Sequence, residues 1–221
     1  NAVEHIKTTP DNLKGIIIEP IQATYGDNYI SIDDLKLLRS TCTEFDIPLI
    51  FDEVQTGFGS TGKVWYSDLI DIKPDITVFG KKSQVSGILV NNSHSSIFEL
   101  PKRLSVTFDG DLTDMVRCKY IIKAIKKDNL LNNATQMGNL LSTEISKSTI
   151  ITDIRQTGLL LAIDFISKDI RDKFVTELYN NGIICNATGK KTVRMRPNLA
   201  VTEYEVARAL DIINKVVGNI K

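Results

Sequence analysis

Short uninterrupted apolar runs punctuate the first half of the chain. Residues 13–19, 48–52 and 75–79 have the length and composition of strands buried on both faces. Between the first two, Leu35, Leu38, Cys42 and Phe45 recur at helical spacing, and Ser31 with Asp34 three residues on forms an approximate capping box. Strand, helix, strand in that order is a βαβ unit, which predicts parallel strands and a right-handed crossover. Pro20 forces the chain out of the first strand and Pro48 resets it into the next. Residues 56–66 read as a glycine-punctuated loop, 87–90 as a strand turning back beside 75–79, 91–102 as loop, and 104–108 as a short strand.

A long helical stretch follows. It starts at Thr113, with Met115, Cys118, Ile121, Ile122 and Ile125 keeping helical spacing, closes near 128, and a second helix runs over 130–145. Beyond 151 the elements shorten: an apolar run at 158–166, a helix at 169–180, and extended segments at 183–185 and 192–195. The last helix opens at the capping box Thr202/Glu205 and buries Val206, Ala209, Leu210, Ile213 and Val217. The pattern predicts an α/β chain: a mostly parallel sheet with flanking helices over residues 1–128, then a smaller α+β domain over 129–221.

Composition narrows the functional classes. Lys+Arg and Asp+Glu both number 27, so the chain lacks the basic face of a nucleic-acid binder. Cys42, Cys118 and Cys185 are odd in number and unpaired in spacing, which argues against a disulfide framework or a zinc site and for a reducing compartment, here expected to be cytoplasmic. No apolar run reaches membrane length and the N-terminus has no signal core, so no membrane partner is expected; the chain reads as beginning partway into something.

The candidate chemistry lies at strand ends. The run 48–52 delivers Asp52 and the run 75–79 delivers Lys81 and Lys82, and in an open α/β sheet such ends share the rim where ligands bind. An acid at the end of a buried strand needs a cation, a donor or a cofactor. A carboxylate facing a lysine suits pyridoxal phosphate, whose aldehyde takes a lysine amine and whose pyridine nitrogen takes an acid. Taken alone, a Lys-Lys pair is usually solvated surface, an Arg-x-Arg pair such as Arg194/Arg196 likewise, and Thr107 is an ordinary strand hydroxyl.

The words at 19–22 (EPIQ), 51–59 (FDEVQTGFG), 74–82 (PDITVFGKK) and 112–117 (LTDMVR), in this order and spacing, resemble the class III aminotransferases of fold type I over nearly the whole chain. The double lysine followed by Ser83, Gln84 and Val85 is most similar to the lysine 6-transaminase branch. The resemblance implies that Lys81 forms the Schiff base with pyridoxal 5'-phosphate, Asp52 bonds its pyridine nitrogen, Val54 packs on a ring face and Gln55 reaches the ring hydroxyl. It implies that Thr107 binds the cofactor phosphate of a neighbouring subunit, hence a homodimer, and that Arg194 takes the α-carboxylate of the amino acid and of 2-oxoglutarate. Arg196 is expected on the opposite face of the extended segment, as the solvated arginine or, with a shifted register, the functional one. No metal is implied.

The implied reaction passes the terminal amino group of lysine to 2-oxoglutarate, giving 2-aminoadipate semialdehyde and glutamate. The alternatives are another ω-aminotransferase, of 4-aminobutyrate or ornithine type, and a non-catalytic subunit. This sequence departs from the family pattern at Thr24, where an acid that pairs with the substrate arginine is expected, and at Asp109 and Asp111, near the expected phosphate. The family's N-terminal part, with its phosphate-gripping turn, is not found before Asn1, so the expectation is that another chain provides it as a partner, that the molecule is a fragment, or that the fold is reduced to a non-catalytic remnant.

Overall fold

In the computed structural model, residues 2–101, 107, 110–145 and 149–220 are described. The chain separates into two compact units: one of residues 1–20, 29–58 and 65–124, the other of 21–28, 59–64 and 125–221. Two contiguous domains meeting at 128 are the sequence expectation; here the second unit also takes in two short segments from the first half of the chain. Such segments carry no periodicity that could announce their partner.

The first unit holds α1 (Ala2–Thr8), β1 (Ile16–Ile18), α2 (Ile32–Glu44), β4 (Leu49–Asp52), α3 (Tyr66–Ile70), β5 (Ile76–Phe79) and β6 (Gly87–Val90); between β1 and α2 in sequence come β2 (Ile21–Gln22) and β3 (Asn28–Tyr29), of which residues 21–28 count with the second unit. Its sheet runs β1-β4-β5-β6, parallel across the first three strands and antiparallel at the last. The βαβ reading therefore holds. Ser31 caps α2 by accepting the Asp34 N–H at 3.0 Å, worth about 1 kcal/mol, and Leu35, Leu38 and Cys42 are the buried face. Leu49 and Phe51 of β4 are fully buried. Residues 92–98 wind into 3₁₀ turns rather than plain loop.

At the lower end of this sheet Asp75 ties the strands together. It accepts from Arg39 at 2.6 Å, the Leu49 N–H at 2.8 Å and Asn91 at 2.9 Å.

Helix α4 (Leu112–Lys127) begins one residue earlier than expected, because Asp111 accepts the Thr113 and Asp114 N–H groups at 2.8 and 3.1 Å. That acid is explained by capping. Of the expected strand at 104–108 only Thr107 is described; it stands exposed in a turn, while the remaining positions and Asp109 lie outside the described residues.

The second unit stacks α5 (Leu130–Ile145), α6 (Lys168–Asn180) and α7 (Glu203–Asn219) on an antiparallel sheet ordered β7-β8-β10-β9, with β7 (Ile151–Thr157), β8 (Leu160–Phe165), β9 (Asn186–Thr188) and β10 (Thr192–Met195). The apolar run 158–166 proves to be a turn at Gly158 followed by β8, paired with a β7 that the spacing did not announce. The extended segment expected at 183–185 forms at 186–188 instead: the Ile183 N–H closes helix α6 onto the Leu178 carbonyl at 2.9 Å before a strand can start.

Alternation assigns the faces of this sheet. Leu161, Ile163 and Phe165 of β8 and Val193 and Met195 of β10 join Phe174, Leu178, Val206, Leu210 and Ile213 in one core. Their neighbours Asp164, Thr192 and Arg194 therefore occupy the other face. The capping box at Thr202/Glu205 is present in full. All three cysteines are free, and burial pushes their thiols up, Cys185 to about 11, as inert packing groups. Among the described residues no helix is long and apolar enough to cross a membrane, and no cluster of side chains is arranged for a metal ion.

Candidate functional site

The rim of the parallel sheet gathers four of the expected residues from two adjacent strand ends. β4 and β5 pair in register, Asp52 opposite Val78, and the Glu53 N–H continues the ladder onto the Val78 carbonyl at 2.9 Å. Asp52 thus leaves β4 beside the point where β5 runs out into Gly80 and Lys81. The half-buried Asp52 accepts the Val54 N–H at 3.0 Å, which fixes one carboxylate oxygen and leaves the second with its lone pairs uncommitted. Lys81 is exposed and sits at φ 56°, a left-handed backbone that a side chain adopts at a cost of order 1 kcal/mol and that clusters at functional sites.

Neighbouring side chains brace this rim. The Lys82 ammonium donates to the Gln55 carbonyl at 2.6 Å, tying the loop after β5 to the loop after β4. Glu53 is 1% exposed and accepts from the N–H groups of Tyr66 and Ser67 at 2.5 and 2.9 Å and from Thr56 Oγ1 at 3.0 Å, so it caps α3. Trp65 packs against Phe58 and Phe79, with ring centroids 5.3 and 6.0 Å away. A β-carbon on Gly57 would lie 2.8 Å from both the Glu53 carbonyl and the Trp65 ring, so only glycine lets this loop close.

Residues at the rim fit the ring end of pyridoxal phosphate. A β-carbon at Gly80 would sit 3.8 Å from a Val54 methyl, so the two loops come close and an apolar group stands next to the lysine. Around it are an acid with an open oxygen, an exposed primary amine and the half-buried Gln55 side chain. Thr107 joins none of these contacts among the described residues.

The second unit brings together the other two expected residues, Thr24 and Arg194. Thr24 lies exposed in a 3₁₀ turn (Ala23–Tyr25), and its carbonyl accepts the Thr188 hydroxyl at 2.8 Å. From β10, Arg194 reaches the adjacent carbonyl of Ala23 at 3.3 Å. Arg196 is neither solvated nor on the opposite face: strand side chains repeat every two residues, so it follows Arg194 to the same side and grips both carboxylate oxygens of Asp27.

Sequence reasoning missed this acid and its surroundings. Asp27 is 1% exposed at φ 50°, and Arg155 donates to the carbonyls of Gly26 and Asp27 at 2.9 and 3.2 Å while binding Asp164 at 2.9 Å. Burial pushes the Asp27 carboxyl up, against the pull of Arg196 and, more weakly, of Arg194 and Arg155. A Gly-Asp-Asn run reads as a solvated turn, and nothing local points to arginines more than a hundred residues away. The only available signal was the pair of arginines at i and i+2.

Comparison with known proteins follows the same lines. Residues 1–217 match the family model described as aminotransferase class III. The chain is 36% identical to the L-lysine-epsilon aminotransferase of Mycobacterium bovis over 213 residues, 92% of this chain and 47% of that protein. It is 31% identical to the mitochondrial 4-aminobutyrate aminotransferase of Sus scrofa, over 94% of this chain and 42% of that protein. The solved structure of a lysine aminotransferase from M. tuberculosis superposes with a TM-score of 0.94 at 33% identity, covering all of this chain and 53% of that one. The chain spans about half the length of the curated relatives it matches.

Proposed function

The chain belongs to the class III aminotransferases, a family of pyridoxal phosphate-dependent transaminases, and from that premise we propose that it is the part of a lysine 6-transaminase that carries the amine and the ring-binding acid. The observation that supports this reading is the pairing of β4 with β5, which ends in Asp52 on one strand and Lys81 two residues beyond the other. Pyridoxal phosphate, when bound, supplies an electron-withdrawing ring that stabilises negative charge at the substrate carbon.

The remaining steps belong to the protein. Asp52, with one oxygen held by the Val54 N–H, would present the other to the pyridine nitrogen and keep it protonated. Val54 would pack on a ring face and Gln55 would reach the ring hydroxyl. The Lys81 amine would hold the cofactor and, once released, would take and return a proton at the substrate carbon. Lys82, bonded to the Gln55 carbonyl, keeps the two loops at their spacing. Arg194 receives a substrate carboxylate through its fork. Thr107 would contribute to the cofactor phosphate of a second subunit, which makes the working unit a homodimer. A reducing cytoplasm suits the three free thiols.

The donor we assign is L-lysine, reacting at its terminal amine with 2-oxoglutarate as acceptor. Support comes from the Lys81-Lys82-Ser83 run and from relatives named as lysine aminotransferases at 30–36% identity. A second reading, 4-aminobutyrate or ornithine as donor, is favoured by the 31% identity to the porcine enzyme. Glutamate formation from 2-oxoglutarate is measured with each of the three donors in turn. Turnover fastest with lysine is expected; none with lysine but some with another donor replaces the first reading by the second.

A further inference from the structure

Arg194 and Arg196 leave the sheet on the same side and reach the same turn, yet their guanidiniums are in opposite conditions. Arg196 is committed. It grips both oxygens of Asp27, and its Nη1 donates to the Leu161 and Met195 carbonyls at 3.2 and 2.9 Å. Arg194 makes a single long hydrogen bond, to the Ala23 carbonyl at 3.3 Å, and among the described residues it forms no ion pair.

Asp27 cannot easily turn to the other partner. It is 1% exposed, and its left-handed backbone is pinned by Arg155, which donates to the carbonyls on either side of that residue's φ, ψ pair. Arg155 is itself anchored by Asp164, whose other contact is the Thr192 hydroxyl at 2.6 Å. The turn is further held by Thr188 on the Thr24 carbonyl. A buried carboxylate whose two oxygens both accept from one guanidinium nitrogen, here Nη2 of Arg196, is a charge-assisted contact. Of the two arginines that reach this turn, the one acid is bonded to Arg196.

We propose that Asp27 is a positioning residue that sorts this arginine pair: by holding Nη2 of Arg196 with both carboxylate oxygens it leaves Arg194 as the guanidinium open to a substrate carboxylate. Without that choice, two forks on one face offer an incoming carboxylate two seats two residues apart, and the reacting end of the substrate lands in two places. The proposal rests on the reading of Arg194 as the carboxylate receptor.

Arginine-selective labelling with phenylglyoxal, followed by peptide mass mapping, tests it on the unaltered chain. Arg194 is expected to label about tenfold faster than Arg196, the ratio that one charged hydrogen bond confers, and 2-oxoglutarate is expected to slow Arg194 alone. In Asp27→Asn, Arg196 gains reactivity towards that of Arg194; in the double variant Asp27→Asn with Arg196→Gln, protection of Arg194 by 2-oxoglutarate returns to the parent value. Equal labelling of the two arginines in the parent overturns the proposal, and so does an unreactive Arg196 in a folded Asp27→Asn. Should those variants not fold, the parent comparison decides by itself. If the labelling ratio holds but 2-oxoglutarate protects neither, the receptor reading of Arg194 falls and the sorting by Asp27 stands.

Discussion

The parallel rim of the first unit and the turn-covered face of the second both carry a doublet of like charges, and they separate the members by different means. Asp52 and Glu53 are adjacent, so strand alternation turns them to opposite sides: Glu53 is swallowed by the cap of α3 with three donors, and Asp52 keeps an open oxygen at the rim. Arg194 and Arg196 are two apart, so alternation puts them together, and a buried partner, Asp27, has to divide them. Backbone geometry separates neighbours at no cost in side chains. Same-face pairs need a third residue. The lysine doublet follows the first pattern: Lys82 bonds the Gln55 carbonyl and Lys81 stands exposed.

The sharpest way to break this comparison is to remove one member of each doublet. Lys81→Ala is expected to lower transamination by about 10³-fold or more, the scale of a lost proton-transfer and nucleophilic group, and to abolish the visible absorbance of protein-bound cofactor. Lys82→Ala keeps that absorbance, because its ammonium serves the loop. Should the absorbance vanish with Lys82→Ala and persist with Lys81→Ala, the roles are reversed.

Next in size is the acid doublet. Asp52→Asn is expected to reduce turnover by about 100-fold or more and to leave the melting temperature nearly unchanged, since the amide oxygen still accepts the Val54 N–H. Glu53→Ala strands two buried N–H groups and a hydroxyl, a loss of about 3 kcal/mol that appears as a drop of roughly 6–12 °C in Tm for a chain of this length. Paired thermal melts and turnover assays separate the two; comparable stability losses in both variants would show that Asp52, too, is a structural acid.

How much of this was readable follows from where each signal resides. The strands ending at Asp52 and Phe79 were legible because uninterrupted apolar runs stop at polar residues, and the helices because Ser31 and Thr202 announce their starts. Arg194 was singled out by its motif, and the structure places it in β10, donating to the Ala23 carbonyl. The side taken by Arg196 follows from the period of two in a strand, and the expectation of opposite faces misapplied that period. Asp27, Arg155 and Asp164 were not legible, since the contacts joining the turn to β7 span 128 and 129 positions and no local pattern encodes them. Glu53 was hidden for a related reason: its donors, Tyr66 and Ser67, lie across a loop whose glycines look like punctuation until Trp65 is seen packed beneath Gly57.

The smallest effect concerns two acid–arginine pairs, one in each unit, Asp75 with Arg39 and Asp164 with Arg155. Burial works to raise both carboxyls, but the arginines, with the Leu49 N–H at Asp75 and the Thr192 hydroxyl at Asp164, outweigh it and hold both below the ordinary aspartate value of 3.8. A carboxyl with a depressed folded-state pKa stabilises the fold fully above its unfolded value and loses that contribution as pH falls through the folded one. The Tm should therefore stay flat from neutrality to about pH 5 and decline below about pH 4. Asp27 acts in the reverse sense, because burial pushes it up, and so opposes that decline. Asp75→Asn and Asp164→Asn should each lower Tm at pH 7 by removing a bonded carboxylate, and each should fall less steeply in acid, so that parent and variant curves converge at low pH. Parallel curves across the whole range would mean that neither carboxylate is held below its ordinary value, and the two pairs would then act through geometry alone.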